Sequence, residues 1–217
     1  MGYELFVLGY NYSSWSMRAG VLMRFAGLPY TETLIPYAKL ADLKALSPSG
    51  TAPVLVHDGL KIWDSLAIAE YVAEKVSDKA LWPHDPVARA IARTACAEMH
   101  SSFHAMRNTM NMNIRARYPG FARNPQVDGD VKRVQALWSE LRSRFASDGD
   151  FLCGEFGIVD AFFAPVATRF RTYDVKLEGA CAAYSEALLA HPAVRSWLDK
   201  AAQDAAHVPQ YDLVVDR

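Results

Sequence analysis

The sequence predicts an α/β domain followed by an all-α domain, and two observations support this prediction. Residues 3–76 alternate between short β-prone runs and helical spacing, whereas strand signals disappear after residue 85. The segment between them, 77–85 (SDKALWPHD), is rich in charged and turn residues, which is typical of a domain boundary. A chain of 217 residues has room for two domains, and we place them at 1–78 and 86–217.

The first domain follows the order βαβαββα. The predicted strands are 3–8, 30–35, 53–57 and 61–63, and the predicted helices are 15–26, 40–46 and 65–76. Asp58-Gly59 is a hairpin signal between the last two strands. This order, with an antiparallel hairpin at its end, predicts a four-stranded mixed sheet with helices on its faces, which is the thioredoxin-like arrangement.

The second domain is predicted to be a helical bundle. Asp85 is a favourable N-cap and Pro86 suits a first helical position, so a long helix is expected over 87–118, ended by Pro119-Gly120. Further helices are expected at 130–145, 158–173, 181–190 and 193–204.

Composition limits the classes of function. Hydrophobic residues make up 51% of the chain and charged residues 22%, the balance of a globular protein with a buried core. A net charge of −1 gives no attraction to nucleic acid or anionic membranes. The sequence has no secretion signal and no apolar stretch of membrane-spanning length, so we expect a cytoplasmic protein. Cys96, Cys153 and Cys181 lack metal-ligand spacing and are expected to be reduced, buried thiols.

The turn before the first helix carries hydroxyl groups where redox proteins of this fold carry two cysteines. It reads Ser13-Ser14-Trp15-Ser16. The N-terminus of a helix favours a negative ligand, and a serine hydroxyl there can stabilise a thiolate. Because the chain has no dithiol at this point, the thiol must come from a ligand. The alternative is that these serines only cap the helix, and three of them leave room for both roles.

Magnitudes support the thiolate interpretation. An ordinary thiol has a pKa of about 8.5, and lowering it by about two units needs roughly 2.7 kcal/mol of preference for the thiolate. A hydrogen bond to a charged group contributes about 1.5–3 kcal/mol and a helix N-terminus about 0.3–1 kcal/mol. One hydroxyl and one helix end are therefore sufficient.

Two further segments carry ligand-binding potential. Pro53 opens a strand and cannot donate to its ladder, so a cysteinyl backbone could dock beside Ala52 like an added strand. Asp64 and Ser65 begin a helix, where they could hold the α-amino and α-carboxylate groups of a ligand. Taken alone, the proline is of a kind commonly found at the edge of a sheet, and the Asp-Ser pair is a common helix N-cap.

Together these segments resemble the glutathione transferase family, and the resemblance covers nearly the whole chain. The serine turn resembles that of bacterial serine-type, zeta- or theta-like members. SPSGTAPVL (47–55) is similar to the family's loop and cis-proline strand, and DSLAIAEY (64–71) to its Glu-Ser motif, with aspartate in place of glutamate. GIVDA (157–161) resembles its buried capping motif, with Gly157 where serine or threonine is usual.

The resemblance implies an enzyme without a metal that activates the glutathione thiol for attack on a small hydrophobic electrophile. Ser13 or Ser14 would contact the sulfur, and Ser13 aligns best with the activating serine of zeta-like members. The implied glutathione contacts are Trp15, Lys39, Thr51, Ala52, cis-Pro53, Asp64 and Ser65. The implied second-substrate residues are His100, His104, Arg107 and Asn111. The family habit also implies a homodimer.

Several alternatives stay open on the sequence. Tyr10 and Tyr12 are rivals to the serines, and Tyr10 is the better placed of the two. His100 and His104 have i, i+4 spacing, but no third metal ligand is in register. Four arginines could attract an acidic co-substrate or could simply be solvated: Arg115, Arg117, Arg169 and Arg171.

The overall function also has rivals. A non-catalytic protein that keeps the fold as an interaction scaffold is one, because fold alone does not fix function. A glutathione-dependent isomerase or dehalogenase is another. Trp15 stands where the zeta isomerases have a cysteine, which argues against that isomerase activity.

Overall fold

The computed structural model describes residues 2–146 and 149–213, and its first half is built on a four-stranded sheet. The strands are β1 (Tyr3–Leu8), β2 (Tyr30–Ile35), β3 (Val54–His57) and β4 (Leu60–Trp63). They lie in the order β2-β1-β3-β4. β1 is parallel to β2 and antiparallel to β3, and β3 is antiparallel to β4. The predicted mixed sheet is therefore confirmed.

The first and third helices of this half lie within one residue of their predicted ranges, whereas the helix predicted over 40–46 is shorter. The helices are α1 (Ser14–Ala26), α2 (Leu43–Leu46), which follows a 3₁₀ turn over Tyr37–Asp42, and α3 (Ser65–Lys75). Gly27 ends α1 in the left-handed region, with φ 74°. The Asp64 carboxylate caps α3 by accepting a hydrogen bond from the Leu66 N–H.

Beyond residue 85 the described structure is helical, as predicted. The helices are α4 (Pro86–Ser101), α5 (His104–Thr109), α6 (Pro125–Phe145), α7 (Ile158–Thr172), α8 (Gly179–Ala190) and α9 (Pro192–Gln203). Asp85 and Asn124 cap α4 and α6 through their side chains, and each of these helices has proline in its first turn. None of the helices in the described ranges is long and apolar enough to cross a membrane.

The prediction of one continuous helix over 87–118 is wrong. Phe103 has a left-handed backbone, with φ 60°, which separates α4 from α5. α5 then ends at Thr109, and a buried contact holds the following chain as a loop: the Asn11 amide donates to the Asn113 side chain at 2.8 Å. A partner so distant in sequence cannot be read from helical periodicity. His100 and His104 consequently do not share a helix face.

Helix α7 forms the centre of the helical region and joins it to the first half. It packs against α1, α4 and α8, and most of its residues are buried. Trp138 of α6 and Phe162, Phe163 and Phe170 of α7 are among the fully buried side chains. Because α1 lies directly against α7, the start of α1 faces residues of the helical region.

The start of α7 is closed by its own carboxylate. Asp160 is 0% exposed and accepts hydrogen bonds from the N–H groups of Gly157 at 2.9 Å and Leu152 at 3.1 Å. Burial raises the pKa of Asp160 to about 7, and the two backbone donors act against that rise. A Cβ atom on Gly157 would lie 2.9 Å from the Leu81 carbonyl oxygen, which explains why glycine replaces the usual serine or threonine.

Candidate functional site

A cavity of about 450 Å³ lies beside the first turn of α1. Its walls come from the turn after β1 with the first turn of α1, the segment 37–43, the loop before β3, α5 with the loop after it, one residue of α7, and Tyr211. Seven of the predicted site residues line it: Ser13, Ser14, Trp15, Thr51, Ala52, Arg107 and Asn111. Residues that are far apart in sequence thus meet at the helix start where a thiolate was predicted.

Ser13 is committed to the helix cap. Its Oγ accepts a hydrogen bond from the Ser16 N–H at 3.3 Å and donates its own proton to the Ser16 Oγ at 2.9 Å. The Ser16 Oγ in turn accepts from the Leu8 N–H at 2.9 Å, which ties the helix start to the end of β1. The hydroxyl of Ser13 therefore points into the protein's own hydrogen-bond network.

Ser14 is placed differently. Its Oγ accepts a hydrogen bond from Nη2 of Arg169 at 3.2 Å, and Arg169 reaches it from α7. As the acceptor, Ser14 keeps its own O–H available for another partner in the cavity. Burial lowers the pKa of Arg169 to about 10, and the nearby charge of Arg107 acts in the same direction. Arg169 remains a cation at neutral pH beside the Ser14 hydroxyl.

Trp15 stacks with two guanidinium groups. The Arg18 and Arg107 guanidinium carbons lie 4.3 Å and 4.5 Å from its ring centroid. Arg18 was not singled out by sequence reasoning, although its spacing of three from Trp15 places both on one face of α1. The tryptophan thus holds Arg107 of α5 against the start of α1.

The start of α3 carries a second group of predicted residues. Asp64 has a backbone φ of 75°, a region unfavourable for aspartate, and its carboxylate lies 3.2 Å from Nε2 of His100. Burial lowers the pKa of His100, and the positive charges of Arg18 and Arg107 act in the same direction while Asp64 opposes them. The Ser65 Oγ is buried without a hydrogen-bond partner in the described part of the chain.

Both tyrosine rivals have their hydroxyl groups engaged. The Tyr10 hydroxyl donates to Glu32 at 2.8 Å, and Tyr10 does not line the cavity. The Tyr12 ring does line it, but its hydroxyl donates to the Asp212 carboxylate at 2.8 Å. Burial raises the pKa of both tyrosines, which further opposes a role for either as an ionised base.

The other predicted site residues do not line the cavity, and their roles stay predictions: Lys39, Pro53, Asp64, Ser65, His100 and His104. Lys39 and His104 are exposed. Pro53 is buried and follows a cis peptide bond, as the resemblance implied. Within residues 2–146 and 149–213, no cluster of three or more histidine, cysteine or acidic side chains is arranged to hold a metal.

A larger cavity, of about 820 Å³, lies elsewhere and contains none of the predicted site residues. Aromatic side chains dominate its lining, including Phe25, Phe151 and Phe156. It has no free hydroxyl at a helix start, so we assign the predicted chemistry to the smaller cavity.

Family models match most of the chain in two blocks. The glutathione S-transferase N-terminal domain matches residues 12–75, and the glutathione S-transferase C-terminal domain matches residues 124–200. The chain belongs to the glutathione S-transferase family. The thioredoxin-like first half and the helical second half described above are those of this family.

Individual glutathione S-transferase relatives differ in their names. A stringent starvation protein A homolog of Haemophilus ducreyi is 26% identical over 170 residues, covering 76% of this chain and 74% of the relative. A probable maleylacetoacetate isomerase of Caenorhabditis elegans is 28% identical, covering 72% of this chain and 75% of the relative. Glutathione S-transferase GstB of Escherichia coli is 29% identical, covering 58% and 61%.

Solved structures agree with the glutathione S-transferase fold. A glutathione transferase homolog from Burkholderia gl BGR1, crystallised with bound glutathione, has a TM-score of 0.74 at 22% identity. The match covers 94% of this chain and all of that one (100%). At this level of identity the likeness concerns the fold.

Proposed function

We propose that this chain is a serine-type glutathione transferase, in which the Ser14 hydroxyl donates to the thiolate of bound glutathione at the start of α1. The observation that carries the proposal is the hydrogen bond from Arg169 to the Ser14 Oγ, 3.2 Å long, which leaves the serine proton free. The family match and the Burkholderia homolog crystallised with glutathione support glutathione as the co-substrate.

The choice of Ser14 differs from the sequence-based preference for Ser13. The Ser13 proton is donated to the Ser16 Oγ, whereas the Ser14 oxygen accepts from a cation. A hydroxyl polarised by an arginine is a stronger donor to an anion than one in a neutral chain. Ser13 then contributes by capping α1, and Arg169 acts through Ser14 as a positioning residue.

These contributions are large enough for the chemistry. A hydrogen bond to the thiolate contributes about 1.5–3 kcal/mol and the helix start about 0.3–1 kcal/mol, which together lower a thiol pKa by about two units. The thiol proton leaves to solvent, the thiolate then attacks the electrophilic carbon to form the new C–S bond, and the bond from that carbon to the leaving group breaks, with its electron pair going to the leaving group. Arg169 adds a positive charge where the negative charge of the sulfur is held.

The rest of glutathione is proposed to extend from this point toward α3. The β1–β3 ladder ends at Val54, so the backbone of Ala52 reaches the cavity beyond the paired strand, next to Thr51 and Pro53. The Ser65 Oγ is buried without a partner among the described residues, and with the strained backbone of Asp64 it supports a site for the γ-glutamyl group there. Lys39 is assigned to the glycyl carboxylate and Trp15 to the cysteinyl region.

The second substrate is proposed to lie between the sulfur and the helical region. Arg107 and Asn111 line the cavity on that side, together with the apolar Met112. His100 and His104 lie outside the lining and fit this role less well.

The domain division at 1–78 and 86–217 and the homodimer are also proposals. Leu60 and Trp63 of β4 and Val87 of α4 are exposed apolar residues, and exposed apolar side chains of this kind are ones that a second copy could cover. Light scattering on the purified protein would give the mass of two chains, and the mass of one chain would contradict the dimer.

The test of the catalytic proposal compares two adjacent serines. We expect Ser14→Ala to lower kcat/KM for a generic aryl halide about tenfold to a hundredfold and to raise the pKa of the bound thiol, followed by thiolate absorbance. Binding to immobilised glutathione is expected to persist. Ser13→Ala is the matched control, expected to change kcat/KM less than about threefold while destabilising the protein by about 1 kcal/mol. If Ser13→Ala instead causes the larger loss of kcat/KM, Ser13 is the residue that donates to the thiolate.

Two relatives raise different candidate functions, which the same experiment separates. The name of the stringent starvation protein A homolog states no enzymatic reaction, and a non-catalytic scaffold would become the assigned function if the protein neither binds glutathione nor exceeds the background rate. The probable maleylacetoacetate isomerase supports an isomerase, which would be detected as turnover of a maleyl substrate without net consumption of glutathione.

A further inference from the structure

The cavity beside α1 holds positive charge without any carboxylate. Arg107 and Arg169 line it, and none of its described lining residues is aspartate or glutamate. The hydrogen bonds of Arg169 go to neutral oxygens: the Met110 carbonyl, the Pro165 carbonyl and the Ser14 hydroxyl. Buried charges in proteins are normally paired, and neither the buried Arg169 nor the half-buried Arg107 has an acidic partner in the described ranges, which favours an anionic ligand in this cavity.

A third arginine increases this excess. Arg18 is 1% exposed, and its Nε and Nη1 have no hydrogen-bond partner in the described ranges. Burial lowers the pKa of Arg18 to about 9, and Arg107 and Arg169 act in the same direction because nearby like charges disfavour the charged form. Asp64 opposes this effect, but its carboxylate already contacts His100 and the Leu66 N–H.

Arg107 is the member of this group that both lines the cavity and has free donors. Its Nη1 donates to the carbonyl oxygens of His100 at 3.0 Å and Ser102 at 3.3 Å. Its Nε and Nη2 make no hydrogen bond within the described part of the chain. These two nitrogens form one edge of the guanidinium plane, the edge that binds a carboxylate in bidentate fashion. The Trp15 ring, 4.5 Å away, holds the plane in place.

We propose that the second substrate is an anionic electrophile, a small molecule with an apolar body and a carboxylate that Arg107 binds beside the reacting sulfur. This inference rests on the proposed transferase function. In that function the thiolate at Ser14 balances Arg169, and the carboxylates of glutathione lie at Ser65 and Lys39. The charge of Arg107 is then left for the other substrate.

A matched pair of electrophiles tests the proposal: 4-chloro-3-nitrobenzoate and 4-chloro-3-nitrobenzamide. With either compound the thiolate forms a C–S bond at the carbon that bears chlorine, the C–Cl bond breaks, and chloride leaves with the bonding pair. Each kcat/KM is divided by the rate constant of the uncatalysed reaction with glutathione, which removes the difference in intrinsic reactivity. The wild-type protein is expected to favour the benzoate.

The variants separate charge from packing. Arg107→Gln is expected to lower the benzoate value about tenfold to a hundredfold and the benzamide value much less, so that the benzoate-to-benzamide ratio falls at least about fivefold. Arg107→Lys keeps the positive charge but loses the planar guanidinium group. Its kcat/KM for the benzoate is expected to lie between those of the wild-type protein and Arg107→Gln. Arg133→Gln is the control, because Arg133 pairs with Glu98 on the exposed face of α6, away from the cavity, and should alter neither value.

Three outcomes would overturn the proposal. The first is a wild-type protein without preference for the benzoate. The second is an equal loss for both electrophiles with weaker glutathione binding by calorimetry, which would assign Arg107 to a carboxylate of glutathione. The third is a wild-type protein that neither binds glutathione nor converts either compound, which removes the proposed function as well. If Arg107→Gln does not fold, the wild-type preference is measured against ionic strength: a fall with salt supports the proposal and a constant ratio contradicts it.

Discussion

Two helices that pack against each other, α1 and α7, begin in opposite ways. α1 has no acidic residue in its first turn; Ser13 caps it and the Ser14 hydroxyl lines a cavity. α7 begins at a carboxylate of its own, because Asp160 takes the N–H groups of Gly157 and Leu152 and is completely buried. One helix start is open to a ligand and the other is sealed.

The comparison shows what turns a helix start into a site. The positive end of a helix favours a negative group in both places. In α7 the chain supplies that group, and the local field contributes to stability. In α1 the chain supplies hydroxyls and the cation of Arg169 but no carboxylate, so the same field is left for a ligand. Substitutions that close the open start or open the closed one test this difference.

The largest effect is expected from opening the start of α7. Asp160→Ala leaves the N–H groups of Gly157 and Leu152 buried without an acceptor, at about 1–3 kcal/mol each, so we expect a loss of about 4 kcal/mol in the free energy of unfolding. Urea denaturation at pH 8, where the Asp160 carboxyl group is mostly ionised, measures it. Asp160→Asn keeps one acceptor oxygen and should lose about half as much. A change below about 1 kcal/mol in the alanine variant would show that the cap is not important.

Closing the start of α1 is expected to affect activity more than stability. Ser14→Asp places a carboxylate beside Arg169, where the thiolate is proposed to lie, so conjugation should fall by about a hundredfold or more through repulsion of like charges. The free energy of unfolding should change less than about 1.5 kcal/mol, since acidic residues suit a helix start. Steady-state kinetics measures the loss, and Ser14→Asn is the neutral control with a smaller one. An active aspartate variant would contradict the proposed thiolate position.

The two starts also differ in their response to pH. The pKa of Asp160 is about 7 in the folded protein, above the value of about 3.9 expected in the unfolded chain. Between these values the folded state binds a proton that the unfolded state lacks, so stability is complete below the lower pKa and falls as pH rises through the upper one, by up to about 1.4 kcal/mol per pH unit. Unfolding free energies from about pH 4.5 to pH 8 measure this slope, which Asp160→Asn should remove. Equal slopes in the wild-type protein and in Asp160→Asn would assign the pH dependence of stability to other groups.

The sequence was sufficient for most of the fold because the decisive signals were local. Gly27 ended a helix, Asp64 capped one, and Asp85-Pro86 opened another, and the structure has each of them in that role. The break at Phe103 could not be predicted, because it depends on a left-handed residue and on the contact between Asn11 and Asn113. Both are properties of the folded chain.

The candidate site was predictable only in part for the same reason. The serine turn and the loop before β3 are sequence motifs, and Ser13, Ser14 and Ala52 from them do line one cavity. The preference between Ser13 and Ser14 depends on where their protons go, and that is decided by Ser16 in one case and by Arg169 in the other. Arg169 is more than 150 residues from the serine that it contacts. No spacing rule connects such a pair.

The smallest expected effect concerns the residue that precedes α7. Gly157→Ser would restore the hydroxyl usual in the family's capping motif, and on capping preference alone it should stabilise the helix by a few tenths of a kcal/mol. The Leu81 carbonyl oxygen lies 2.9 Å from the position of the new Cβ, and this oxygen already accepts a hydrogen bond from the Ile158 N–H at 3.0 Å. Backbone would have to move, so we expect a net loss of about 1 kcal/mol by thermal or urea unfolding. A stabilised Gly157→Ser variant would mean that the start of α7 has room for a serine cap in addition to Asp160. It would also mean that steric hindrance does not explain the glycine at this position.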